Sequence, residues 1–156
     1  MLSVVIPSYN DAKNIPLAIA SANQIKYVNE IIVVDDCSID NTECLIKEIL
    51  VDFKKVKYFK NSINRGSGLT FLKGLEKTQN KYVLMLNSDD FFLPKAIERL
   101  FEYTINNQLD LGYGKMAIKK KTGIHRYSHP GYKKNSYVEN KNELIDLLIF
   151  DMYIPS

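Results

Sequence analysis

Residues 30–38 read Glu30-Ile-Ile-Val-Val-Asp-Asp-Cys-Ser38. Four β-branched apolar side chains stand in a row, Ile31, Ile32, Val33 and Val34, with no polar residue between them. A strand that is apolar on both faces belongs in a parallel sheet covered on both sides. Three further runs have the same character: Leu2-Ser-Val-Val-Ile6, Val56-Lys-Tyr-Phe59 and Lys81-Tyr-Val-Leu-Met-Leu86. Helical spacing fills the gaps. Ile15, Ala18, Ile19 and Ala22 make one stripe, with Pro16 tolerated in a first turn. Asp40 and Glu43 form an Asp-x-x-Glu cap-like pattern ahead of Leu45, Ile46, Ile49 and Leu50. Leu69, Leu72 and Leu75 mark a third helix, and Pro94, Ile97, Leu100 and Phe101 a fourth. Strand and helix alternate, which predicts an α/β fold with a mostly parallel sheet and helices on both faces. Beyond Leu109 the pattern weakens. A strand is expected within residues 111–118, an irregular or hairpin segment over 119–139, and a last helix capped by Asn140 and carrying Leu144, Leu147 and Leu148.

The chain has 156 residues, enough for one domain with a core of its own. Hydrophobic residues make up 46% and charged residues 25%, the balance of an ordinary globular protein rather than a disordered or collagen-like one. No apolar run approaches the roughly 20 residues that span a bilayer. The start, Met1-Leu-Ser-Val-Val-Ile-Pro7, has neither a basic region nor a cleavage site, so a cytoplasmic protein is expected. Cys37 and Cys44 are too few and wrongly spaced for a zinc site and read as reduced thiols.

Charge is unevenly spread. The net charge is +3, yet Lys115 to Lys134 hold seven Lys/Arg and no Asp/Glu, which leaves 3 − 7 = −4 for the rest. That stretch reads as a solvated surface loop or as a patch for anionic lipid or a phosphate-bearing acceptor. Peripheral association with the inner face of the membrane is the corresponding expectation. No nucleic-acid-binding motif accompanies it, so no nucleic-acid partner is expected.

Ligands of open α/β sheets bind beyond the carboxyl ends of the strands. Here four such ends carry polar groups in turn: Pro7-Ser8-Tyr9-Asn10, Asp35-Asp36-Cys37-Ser38, Asn64-Arg65-Gly66 and Asn87-Ser88-Asp89-Asp90. Each alone has a structural explanation. Asp36 or Ser38 can cap a helix, and Asp89-Asp90 can be turn residues. Together they describe a nucleotide-diphosphate site. Tyr9 offers a flat face to a base, Asp36 an acceptor for a base N–H, and Arg65 a cation for base or phosphates. Asp89 and Asp90 offer hard oxygen to Mg²⁺ or Mn²⁺, which neutralises a departing diphosphate. A phosphate-binding G-x-x-x-x-G-K-[ST] loop is lacking, and Gly66-Ser67-Gly68 does not continue into a dinucleotide fingerprint. His125 and His129 read as surface residues.

These motifs resemble the family 2 glycosyltransferases of GT-A fold. Val4-Val-Ile-Pro-Ser-Tyr-Asn10, Ile32-Val-Val-Asp-Asp-Cys-Ser-Ile-Asp-Asn-Thr42, Asn64-Arg65-Gly66, Tyr82-Val-Leu-Met-Leu-Asn-Ser-Asp-Asp90 and Pro94 carry the resemblance, from Leu2 to about Leu100. It implies a Rossmann-type α/β/α sandwich with a mostly parallel central sheet, here cut short at the C-terminus. Residues 1–156 would form one domain, with 1–109 the nucleotide-binding half and 110–156 the incomplete start of an acceptor-side region. It implies that Pro7 and Tyr9 line the base pocket, that Asp36 binds a uracil-like edge, and that Arg65 lies near the base or phosphates. Asn87 and Ser88 would contact the nucleotide. Asp89 would hold the metal, and Asp90 is a further acid beside it. Such enzymes transfer a sugar from a nucleotide donor, expected here to be a UDP-sugar, to an acceptor hydroxyl with inversion. The acceptor class implied is a glycan or lipid-linked acceptor in bacterial surface-glycan assembly.

Two departures stand out. Asn87 replaces the usual first acid of the D-x-D motif and brings no charge. The general base of inverting transfer is expected beyond Ser156, since Asp146 and Asp151 fall in the last apolar helix. The alternative reading is therefore a non-catalytic nucleotide-sugar-binding or association module. A truncated domain would also expose apolar surface, which favours a homo-oligomer.

Overall fold

The computed structural model describes residues 1–112, 117–120 and 123–126. Four strands form one sheet: β1 (Leu2–Ser8), β2 (Val28–Asp35), β3 (Val56–Lys60) and β4 (Tyr82–Met85). Their order across the sheet is β3-β2-β1-β4 and every pairing is parallel, as the uninterrupted apolar runs predict. The helices are α1 (Ile15–Asn23), α2 (Thr42–Asp52), α3 (Ser67–Leu75) and α4 (Pro94–Asn106). Pro16 sits in the first turn of α1, and α4 begins at Pro94, where a missing N–H costs no helical hydrogen bond.

Alternation along β1 and β2 divides the core between two faces. Leu2, Val4, Ile6, Ile31 and Val33 point to one side. They meet Ile15, Ala18, Ile19 and Ala22 of α1, Ile46 of α2, and Ile97 and Phe101 of α4. Val5, Ile32 and Val34 point to the other, where Phe71 and Leu75 of α3 cover them. The result is three helices over one face and one over the other. β1 is buried along its whole length, and β2 at all but Asn29. β3 and β4 are half-exposed because they lie at the outer positions of the described sheet.

Three local expectations are corrected. Leu69 and Leu72 do not face the core; they are 57% and 53% exposed. The buried face of α3 is Thr70 and Gly74, with Phe71 and Leu75 beside them. Close approach decides this. A Cβ on Gly74 would lie 2.3 Å from Val5 Cγ1 and 3.3 Å from Val34 Cγ2, so α3 lays its backbone directly on the sheet. Asp40 and Glu43 do not form a capping box. Asp40 accepts from the N–H groups of Thr42 and Ala12, and Glu43 pairs with Lys47 and Lys60. Leu111 and Gly112 belong to no strand.

Chain contacts separate two compact units, Met1–Gly114 and Lys115–Ser156. In the second, β5 (Ala117–Lys120) pairs antiparallel with β6 (Gly123–Arg126), from Ala117 opposite Arg126 to Lys120 opposite Gly123. Lys119 and Lys120 thus stand in a strand. The helix expected after Asn140 lies outside the described residues. No helix among the described residues is long and apolar enough to cross a membrane.

The seat of α3 gives a stability prediction. Gly74→Ala removes a helix glycine, which alone favours folding by about 0.5–1 kcal/mol. It also forces a methyl group into Val5, and overpacking costs about 1–3 kcal/mol. Val5 is β-branched and fully buried, so it has little room to turn aside. Denaturant unfolding should show a net loss of about 1–2 kcal/mol; an unchanged midpoint would contradict this packing of α3 on β1.

Candidate functional site

The carboxyl edge of the sheet holds an open cavity of about 380 Å³, within the range of small-ligand sites. Pro7, Tyr9, Asp36, Asn87, Ser88 and Asp89 line it. Six residues named from sequence thus come together from the ends of β1, β2 and β4. Tyr9 is 48% exposed, so its ring is available for stacking. Two named residues do not line the cavity. Asp90 closes a turn through its N–H to Asn87 O at 3.1 Å, and its side chain is exposed. Arg65 contributes its backbone; its guanidinium has no partner among the described residues. A smaller crevice of about 120 Å³ runs between β4 and α4, bordered by Tyr82, Leu84, Ile97 and Phe101. Its walls are mainly apolar and it lies away from these polar groups.

Asp36 organises the β2 end of the cavity. Its side chain is 3% exposed. Oδ1 accepts from Asn61 Nδ2 at 2.7 Å and from the Arg65 N–H at 2.9 Å, and Oδ2 accepts from the Gly66 N–H at 2.7 Å. Burial pushes the carboxyl pKa up, but hydrogen bonds from Asn61, Arg65, Thr70 and Gly66 outweigh it and hold it below the usual aspartate value. Gly66 has φ of +82°, a conformation costly for other residues, which turns the chain into α3. Asp36 therefore ties the end of β2 to the 61–66 turn.

A second set of bonds laces the loop after β1 to the loop after β2. Asn10 N–H donates to Ser38 Oγ at 2.9 Å, and Asn10 Oδ1 accepts from Ile39 N–H at 2.9 Å. Asp11 N–H donates to Thr42 Oγ1 and Ala12 N–H to Asp40 Oδ2. Ser38 and Asp40 thus serve the shape of the site. Asp35 is also structural: it is fully buried and accepts from Ser38 N–H and from Tyr58 Oη, both at 2.8 Å.

Ser8, Asn10, Asp11, Asn14, Ser67 and Thr70 complete the lining. Sequence reasoning assigns none of them a site role, although Ser8 and Asn10 stand in the polar motif after β1. Asp11 directly continues that motif, and this adjacency is the signal that points to it. Asn61, 4% exposed, bridges Asp36 and Thr70 and accepts from Lys73 Nζ at 2.6 Å. It stands directly after β3, three residues before the Asn64-Arg65-Gly66 cluster.

The family model for glycosyl transferase family 2 matches residues 3–152, so the chain belongs to that family. An uncharacterized glycosyltransferase of Haemophilus influenzae is 32% identical over 119 residues, covering 76% of this chain and 48% of the relative. The poly(ribitol-phosphate) β-N-acetylglucosaminyltransferase TarP of Staphylococcus aureus is 37% identical over 127 residues, covering 77% of this chain and 38% of TarP. The crystal structure of S. aureus TarS residues 1–349 in complex with UDP-GlcNAc matches with a TM-score of 0.62 and 26% identity. The match covers 69% of this chain and 32% of that one. The chain spans about half or less of the length of these relatives. Together with the parallel sheet, these likenesses establish the GT-A fold.

Asp36 generates a prediction with a pH signature. Asp36→Asn turns an amide N–H toward donors that need an acceptor, and each buried donor left unpaired costs about 1–3 kcal/mol. The variant should lose about 3 kcal/mol of unfolding free energy. In the wild type the folded pKa lies below the unfolded one, so the unfolded state binds more protons in that window and stability rises with pH. The Asp36 contribution is complete above the unfolded value of about 3.9 and is lost as pH falls through the folded value. Acid titration of stability should show this limb in the wild type and a flatter one in Asp36→Asn.

Proposed function

We propose that this chain carries the donor-nucleotide site of an inverting, metal-assisted glycosyltransferase that uses a UDP-sugar. The observation that carries the reading is the convergence of Tyr9, Asp36, Asn87, Ser88 and Asp89 on one cavity at the carboxyl edge. Tyr9 and Pro7 enclose the base, and the turn held by Asp36 presents its hydrogen-bonding edge. Arg65 is an exposed cation beside that turn, free to swing toward base or phosphates. Asn87 and Ser88 offer neutral polar contacts to the nucleotide. The solved complex of TarS with UDP-GlcNAc supports a uridine donor.

The residues fit a divalent cation of one kind. Among the described residues no group of three or more His, Cys, Asp or Glu can enclose a metal. Asp89 alone supplies a carboxylate to the cavity at this point, with Asp90 next to it outside the lining. Mg²⁺ and Mn²⁺ sites built on one or two carboxylates take their remaining ligands from water and substrate phosphates. Asp89 therefore holds the cation jointly with the diphosphate. When bound, the cation neutralises the charge that develops on the leaving nucleoside diphosphate. Asn87 in place of an acid lowers the negative charge of the site and with it the affinity for metal without nucleotide. No described residue is assigned as the general base.

The acceptor in this reading is a glycan or lipid-linked acceptor of bacterial surface-glycan assembly. The charge of +7 between Lys115 and Lys134 suits peripheral association with the cytoplasmic face of a membrane bearing such an acceptor. Leu69 and Leu72, exposed on α3, suit a second copy of the chain as a partner.

Calorimetric titration tests the donor site. UDP should bind in the presence of Mn²⁺ and weaken on chelation or in Asp89→Ala by at least about tenfold, the worth of one charge-assisted contact. Binding that ignores both changes would leave Asp89 without a part in holding the cation. Failure of UDP, GDP and dTDP alike would remove the donor-site reading.

A further inference from the structure

Two side-chain oxygens are buried without a hydrogen-bond partner among the described residues, Ser8 Oγ and Asp11 Oδ2. Both residues line the same cavity. Ser8 is 3% exposed. The other Asp11 oxygen, Oδ1, accepts from Asn14 Nδ2 at 2.7 Å, which leaves one half of the carboxylate unserved. Buried polar atoms are nearly always paired, and an exception asks for a cause. A ligand donor that arrives only on binding is such a cause.

The order of the strands says which part of a ligand would arrive there. Asp36 and the turn it holds stand at the β2 and β3 ends, and Asp89 follows β4. Ser8 and Asp11 stand at the end of β1, which lies between β2 and β4. A nucleoside diphosphate with its base at the Asp36 turn and its diphosphate at Asp89 places its ribose over β1. The ribose is also the part of the nucleotide rich in O–H donors. A carboxylate oxygen can only accept, and a hydroxyl is its natural partner.

We propose that Ser8 and Asp11 recognise the ribose cis-diol of the donor, with Asp11 Oδ2 accepting from a ribose hydroxyl and Ser8 Oγ hydrogen-bonding the same diol. This rests on the donor-site reading above and adds a selection: the pocket prefers ribonucleotides to deoxyribonucleotides. Both oxygens lie just beneath the cavity wall, and modest side-chain turns bring them to the diol. The terminal torsion of an aspartate is broad, and a serine hydroxyl rotates with little hindrance. Asp36 complements this division of labour, because its own oxygens already serve Asn61, Arg65 and Gly66.

The test compares UDP, 2′-deoxy-UDP and 3′-deoxy-UDP by calorimetry with Mn²⁺ on the wild type, Asp11→Asn and Ser8→Ala. Asparagine keeps an acceptor for Asn14 and loses the second one. The wild type should bind UDP at least about tenfold more tightly than one of the deoxy analogues, as expected for a hydrogen bond to a charged group. Asp11→Asn should lower UDP affinity by a similar factor and erase that gap, and Ser8→Ala should narrow it. Equal wild-type affinity for all three nucleotides would overturn the proposal and leave the donor site standing, whatever the variants do. A gap that persists in Asp11→Asn would overturn it as well. Failure of the wild type to bind any nucleotide would remove the donor-site reading and this proposal together.

Discussion

The carboxylate of Asp36 is the constraint on which the site depends. A parallel sheet delivers the ends of its strands to one edge, but the segments that follow are free to diverge unless something holds them. Asp36 does this for the β2 and β3 ends, with a side-chain amide and two consecutive backbone N–H groups on one buried carboxylate. The ladders reach the same place: Asp36 N–H donates to Ser8 O, and Asn61 N–H to Asp35 O, both at 2.8 Å. The charge is therefore fixed where β1, β2 and β3 all end. Tyr58 shows the cost of gathering acids here. Its hydroxyl is held well above the usual phenol range by burial and by the hydrogen bond to Asp35.

From that anchor the rest is built by contacts of two kinds. On the helical faces, apolar packing sets distances, and the bare backbone of Gly74 lets α3 rest on Val5 and Val34. Along the carboxyl edge, polar bonds between loops set angles. The lacing of residues 10–12 to residues 38–42 uses a backbone position at Asn10 with φ of +50°, which asparagine adopts more readily than most residues. Cys37, with φ of +66°, makes a similar turn directly after Asp36. Two left-handed residues at successive strand ends keep both loops folded back over the edge, which leaves the cavity open above Tyr9.

The parts legible in the sequence are those governed by near neighbours. Strand runs, proline at helix starts and the clustering of polar residues at strand ends all follow from local pattern, and the elements appear where that pattern puts them. The misreadings share a cause. The Leu69, Leu72 and Leu75 spacing is a sound helix signal, but which face is buried depends on a glycine pressing against strands far away in sequence. Asp40 and Glu43 have capping spacing, yet their partners are Ala12 and Lys60 as well as near neighbours. The bonds from Asn10 and Asp11 cross 28 and 31 residues, and no spacing rule reaches that far. At the site, the motif residues of β1, β2 and β4 were legible because the motif itself is contiguous. Asn61, Ser8 and Asp11 acquire their significance only from what surrounds them.

Asp89 is the one carboxylate that β4 brings into the cavity, and on the proposed reading this shapes how ligands assemble. A single acid gives a cation little hold, and a bare diphosphate meets a pocket that already contains Asp11, Asp36 and Asp89. Each ligand improves the site for the other. Because free energies around a binding cycle must close, the factor by which the nucleotide tightens the cation equals the factor by which the cation tightens the nucleotide. A pocket of this design works as a coincidence detector, filling in proportion to the product of two concentrations rather than to either alone.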